Sequence, residues 1–198
     1  MPLKVISHKR SLPGLKWEIE HQDYGNWLWD DLPVHKAHID GFDYPDIATQ
    51  IRSLYDLDVQ YQKGIILKEF KRPILKCAHW FDEHVAKKES RSPRVFTQVD
   101  FLADGVDIDV HSTSSYQYSD WFISGLLTID EGVGKNGTGH ALLQHPSMLP
   151  CKRTDVWEDG NVPLSLHTGQ LILWPGSSVF NYVNRHLDNK LWVQVCVA

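Results

Sequence analysis

Eleven histidines in a 198-residue chain are the first chemical signal, because imidazole is the commonest transition-metal ligand in proteins. Spacing decides whether they can be used. His35 and His38 lie three apart with Asp40 close by, and His38-Ile39-Asp40 has the form of the H-x-D half of a facial triad. His186-Leu187-Asp188 repeats that form without a later His to complete a site. Patterns this short arise by chance in a chain rich in His and Asp. His79 and His84 are five apart on an expected helix, so they point to different faces and form no H-x-x-x-H clamp. Their ordinary reading is one packed and one solvated histidine. Asp107 and Asp109 alternate along an expected strand and would share a face, suited to a cation or to paired acids. Such residues more often charge a solvated strand edge and discourage pairing there. There is no G-x-S-x-G elbow, and the glycine-rich stretch 132–139 lacks the G-K-[ST] end of a phosphate loop. None of Cys77, Cys151 and Cys196 carries a nucleophile signature.

Composition narrows the classes. A hydrophobic share of 42% allows a buried core, and 23% charged residues is too few for a disordered polyelectrolyte. The net charge of -5 argues against a protein held to nucleic acid through phosphate contacts. Three Cys, an odd number and widely spaced, exclude a self-contained disulfide framework and a C-x-x-C metal knuckle. No apolar h-region opens the chain, and no apolar run reaches the roughly 18 residues of a membrane span. The expectation is a single soluble domain, cytoplasmic or virion-associated, that is neither secreted nor in a membrane and does not bind nucleic acid directly.

Any site must be positioned by three successive regions. Residues 1–43, punctuated by Pro2, Pro13, Gly14, Gly25, Pro33 and Gly41, read as an irregular segment or arm. Residues 44–92 read as a helical buttress. One helix runs from Pro45 to about Leu57, with Ile47, Ile51, Leu54 and Tyr55 at helical spacing. Another runs from Pro73 to about Lys88, with Leu75, His79 or Trp80, and Val85 as its apolar face. Residues 93–198 change to short strands: Val95 to Leu102 before a turn at Asp104-Gly105, Phe122 to Ile129, His140 to Gln144, Val162 to Leu166, Gln170 to Trp174, Ser178 to Val183 and Leu191 to Val197. This order predicts a mainly β protein with flanking helices, a sandwich or jelly-roll barrel.

A longer pattern runs through residues 95–198. Gly105 leads to His111, then to Trp121-Phe122-Ile123-Ser124-Gly125-Leu126-Leu127-Thr128-Ile129. A glycine loop and His140-Ala141-Leu142-Leu143-Gln144-His145-Pro146 follow, then Thr168-Gly169-Gln170-Leu171-Ile172-Leu173-Trp174-Pro175-Gly176-Ser177, Asn181-Tyr182-Val183 and a closing strand. In order, spacing and texture it resembles the iron(II)- and 2-oxoglutarate-dependent oxygenases, in particular the bacterial and phage branch related to prolyl hydroxylases. The resemblance implies a double-stranded β-helix (a jelly-roll, cupin-like barrel), with Fe(II) and 2-oxoglutarate as cofactors in active members. It places the first two iron ligands before the Ser124-Gly125 strand. Counting from Gly105 gives His111-Ser112-Thr113, and counting back from Ser124 gives Tyr116-Gln117-Tyr118. The distal His position reads Asn181, and the basic residue that grips 2-oxoglutarate reads Trp192, with Lys190 displaced by two.

The pocket candidates are therefore His111, Thr113, Tyr116, Tyr118, Asn181, Lys190 and Trp192, with His111 as the one metal-ligand candidate. Thr, Tyr and a neutral Asn amide are poor replacements for carboxylate and imidazole on Fe(II). A dicarboxylate opposite Trp192 would lack its cation. The leading expectation is an oxygenase-like jelly roll without bound cofactor, used in binding or assembly with a protein partner or its own copies, for instance as a phage virion component. The competing expectation is an active dioxygenase with His111 as surviving ligand. Other arrangements stay open: His140, His145 or His167 turned into the pocket, His38 and Asp40 folded over its mouth, or a lining of Tyr116, Tyr118, Trp121, Trp174 and Trp192. Ordinary core packing is the simplest role for those aromatics, and a carbohydrate-binding role through the tryptophans is a third possibility.

Overall fold

Among the described residues, three short strands are followed by a helical region and then by eight further strands. The structure is a computed structural model and describes residues 7–10, 16–22, 34–54, 64–85, 94–106, 114–116, 122–132, 140–144, 161–164, 167–176, 179–183 and 191–198. Strands β1 (Ser7–Arg10), β2 (Glu18–Gln22) and β3 (His35–Asp40) precede helix α1 (Tyr44–Ser53). A 3-10 turn (Lys68–Phe70) leads into helix α2 (Lys71–Trp80), which widens into a π turn (Phe81–Val85). Then come β4 (Val99–Val106), β5 (Ser114–Tyr116), β6 (Ile123–Asp130), β7 (His140–Gln144), β8 (Asn161–Leu164), β9 (Gln170–Pro175), β10 (Val179–Val183) and β11 (Leu191–Val197).

The strands form a seven-stranded sheet, order β1-β2-β3-β9-β6-β11-β4, and a four-stranded sheet, order β5-β10-β7-β8. All pairings among the described strands are antiparallel. The protein is thus a β-rich antiparallel fold with a few helices. Both faces of β6, β9 and β11 are buried along nearly their whole length, so apolar residues run on without the alternation that marks a half-exposed strand. One face packs on the helices. Ala37 and Ile39, Leu171 and Leu173, Ile123, Leu127 and Ile129, and Val193, Val195 and Val197 share a core with Ala48, Ile51, Phe70, Ile74, Cys77 and Phe81.

The segment 1–43 expected to be irregular instead supplies three strands that extend the large sheet. Its strands carry His, Lys and Glu, which hid a two-residue alternation: Ile19 and His21 are buried between half-buried Glu18, Glu20 and Gln22. Gly41, at φ 94°, lets the chain leave β3 hard against Lys16 and Trp17, where a Cβ would lie 2.0 Å from the Lys16 carbonyl oxygen. Helix α1 follows at once, capped by the Asp43 carboxylate accepting from Asp46 N at 3.1 Å, with Pro45 in its first turn. It ends earlier than expected, at Ser53, and buries Tyr44, Ala48 and Ile51. Arg52 pairs with Asp130 at 2.8 Å, tying α1 to the end of β6.

Helix α2 buries Pro73, Ile74, Cys77 and Ala78, a face turned from the expected one of Leu75, His79 or Trp80, and Val85. Ile74, Cys77, Ala78 and Phe81 recur at i, i+3, i+4 and i+7, and that small-and-apolar stripe outcompetes the bulkier Leu and Trp for the sheet. Asp104-Gly105 is not a turn, because β4 runs on to Val106 with Gly105 opposite Trp192. Among the described residues no helix is long and apolar enough to cross a membrane.

Candidate functional site

Of the seven pocket candidates, His111, Thr113, Tyr118 and Lys190 lie outside the described residues, as do Asp107, Asp109, Trp121, His145, His186 and Asp188. The backbone positions of Tyr116 and Asn181 come together: Asn181 pairs with Ser115 of β5 and Leu142 of β7, and Tyr116 pairs with the adjacent Phe180. Trp192 belongs to the other sheet. It is 1% exposed and sits between Thr128 of β6 and Gly105 of β4.

The face of the large sheet turned away from the helices can be read strand by strand. Pairing sets Trp174 beside Ser124 and Ser124 beside Cys196; Ile172 beside Leu126 and Leu126 beside Gln194; and Thr128 beside Trp192. All of these are buried. Burial pushes the Cys196 thiol up to about 12, with the Asp100 carboxylate opposite adding to the rise and a contact to the Ser124 hydroxyl opposing it. The thiol is therefore protonated at neutral pH. The central strands β6 and β11 thus present hydroxyl, amide, thiol and indole here, with no formal charge.

Among the described residues, charge appears on the same face at Asp100 of β4, opposite Cys196, and toward β3 and β2, where Lys36, His38 and Asp40 stand opposite Gln22, Glu20 and Glu18. Half-burial lowers the Lys36 ammonium below the ordinary lysine range. The H-x-D pair is formed: His38 Nε2 lies 2.9 Å from Asp40 Oδ1, and the ring rests against Gly169. It gains no third donor, since among the described residues no group of three His, Cys, Asp or Glu is placed to hold a metal. His35 cannot join His38, because residues three apart on a strand face opposite sides. His167 is also accounted for. It meets Glu131 at 3.2 Å, while Glu131 N donates to Thr168 Oγ1 at 3.0 Å, clipping the turn into β9.

The helix side holds a cluster that the sequence reading missed. His21 Nδ1 and His35 Nε2 are 3.1 Å apart; Trp80 stacks on His21 at 4.3 Å on one side and on His84 at 3.9 Å on the other. His35 is fully buried, and burial first, then the neighbouring His21 and His84, lower its pKa to about 3. A neutral His35 carries one ring proton. On Nε2 that proton bonds His21 and leaves Nδ1, which has no partner, as a bare acceptor. On Nδ1 it would be an orphaned buried donor, the costlier choice. His35 therefore donates and His21 accepts. A cleft of about 280 Å³, lined by Trp17, Ile19, His21, Lys76, His79, Trp80 and Glu83, opens beside the cluster. Reading Glu18-Ile19-Glu20-His21 as an alternating strand would have placed His21 in the core.

No protein-family model and no curated protein matches the chain. Among solved structures it is similar to an oxidoreductase of the 2OG-Fe(II) oxygenase family from Burkholderia pseudomallei, at 8% identity and a TM-score of 0.36, over 98% of this chain and 74% of that one.

Proposed function

We propose that this chain is an oxygenase-like jelly roll that works by binding, in recognition or assembly, without iron(II)/2-oxoglutarate turnover. The winding of β4 to β11 supports the jelly roll. These eight strands fall into the orders β4-β11-β6-β9 and β5-β10-β7-β8, and the chain changes sheet at every step except the β7-β8 hairpin. That is how a double-stranded β-helix is wound.

The observation that carries the functional reading is Trp192. The resemblance asks for a cation at the start of the closing strand, to hold a dianionic cosubstrate. In its place is a buried indole, flanked by a threonine and a glycine position. A carboxylate placed there would be buried without a counter-charge from either strand partner of Trp192, at a cost of several kcal/mol. The second substitution, Asn181, offers a neutral amide where an imidazole would bind Fe(II). Neither residue fits the cofactor pair.

The test is succinate release from 2-oxoglutarate with Fe(II), ascorbate and oxygen, run beside Fe(II) titration calorimetry. No succinate and no stoichiometric Fe(II) binding are expected. Stoichiometric Fe(II) with succinate release would overturn the reading.

A further inference from the structure

We propose that Gln194 is the recognition residue of a site for a neutral ligand presenting a carboxamide or lactam edge, on the face of the large sheet turned from the helices. This rests on reading that face as a binding surface. Gln194 is 1% exposed, and neither its side-chain oxygen nor its nitrogen has a hydrogen-bond partner. Around it lie Trp192 and Cys196 along β11, Leu126 directly across on β6, and Thr128 and Ser124 on the diagonals. The Thr128 hydroxyl is likewise buried and without a partner. Folded proteins keep a buried primary amide only where something meets its two N–H donors and its carbonyl, and this ring of neighbours does not.

The chemistry of the ring selects the partner. The five residues around Gln194 carry no formal charge, the Cys196 thiol being held protonated by burial, and beyond them on β4 the Asp100 carboxylate stands opposite Cys196. A carboxylate could accept from Gln194 Nε2 but would repel Oε1 and, among the described residues of this face, meet the Asp100 carboxylate rather than a cation. An ammonium would satisfy Oε1 alone. An amide or lactam donates its N–H to Oε1 and accepts from Nε2 at once, and the Thr128 hydroxyl on the adjoining diagonal can take a further lone pair. The Trp192 indole walls one side of Gln194 and suits a flat ring attached to that edge.

The probe is 2-pyrrolidinone, titrated into the full chain labelled with nitrogen-15 glutamine. The Gln194 side-chain NH₂ pair is assigned by its loss in Gln194→Met and by its contacts to the Trp192 indole. A saturable shift of that pair is expected, with propionate and 2-oxoglutarate at equal concentration leaving it unmoved. Gln194→Met should weaken binding, followed by tryptophan fluorescence, by about tenfold or more, as losing a paired hydrogen bond requires. If the variant does not fold, the wild-type titration decides alone. An NH₂ pair that contacts a buried water and responds to no probe overturns the proposal. Without succinate release, that result leaves the non-catalytic reading intact; a response to 2-oxoglutarate with succinate release overturns both.

Discussion

His35 gives the sharpest quantitative test. The folded chain refuses it a proton until about pH 3, whereas the unfolded chain accepts one near pH 6.5. Between those values the unfolded state holds more protons, so stability falls as pH falls. The contribution of neutral His35 is complete above about pH 6.5 and is lost progressively toward pH 3. Integrating the linkage from about pH 7.5 to about pH 5 gives a loss of about 2 kcal/mol from this residue alone. His21 on β2 and His84 on the π turn face the same cluster, and Glu83 lines the cleft beside it, so the measurement must be a difference. His35→Gln is the perturbation, because a glutamine amide nitrogen can donate to His21 Nδ1 in place of His35 Nε2 and does not titrate. Urea unfolding of both proteins at the two pH values should show the wild type losing about 2 kcal/mol more than the variant. Equal losses, to within about 0.5 kcal/mol, would refute the assignment of a buried neutral imidazole.

Gly41→Ala should cost at least about 2 kcal/mol in a urea melt, because a positive φ and contact with the Lys16 carbonyl both oppose a side chain. Gly169→Ala, at φ 81° and 2.8 Å from His38 Cε1, should cost about 1–3 kcal/mol by the same assay. Trp192→Arg restores the cation of the resemblance but buries it between the Gly105 and Thr128 positions, neither of which carries a charge; a loss of about 3–5 kcal/mol and still no succinate are expected in thermal unfolding and turnover assays. Burial raises both the Cys77 and Cys196 thiols, so peptide mass spectrometry after iodoacetamide at about pH 8 should find them unmodified when folded and alkylated in urea.

The parts of the fold legible in the sequence were those whose local pattern agrees with their burial. His140–Gln144 and Leu191–Val197 fall where expected because turn residues bound a short apolar run. The first three strands were not legible, since they carry charge on one face and place histidine on the buried one. β1 and β2 join the sheet only through β3, whose own partner β9 lies well over a hundred residues later in the chain, and no local window contains that information. The candidate site divides the same way. The position of Trp192 followed from its place in the closing strand. The isolation of the Gln194 amide did not, because it depends on which face of β11 the residue takes and on β6 supplying Leu126 rather than a polar partner. The His21–His35 pair joins two strands whose alignment no local pattern specifies.

The placement of β11 has a consequence for how the protein is made. The last strand in chain order lies between β6 and β4, and Ala198 closes it with backbone hydrogen bonds to Thr97 and Gln98. Until residues 191–198 leave the ribosome, β4 and β6 each present an unpaired edge to solvent, and the large sheet cannot be joined across them. Synthesis therefore runs nearly to residue 198 before the decisive pairing forms, a high-contact-order step that is slow and exposes the nascent chain to aggregation. Chains stalled before β11 should accordingly depend on chaperones, while released chains should not.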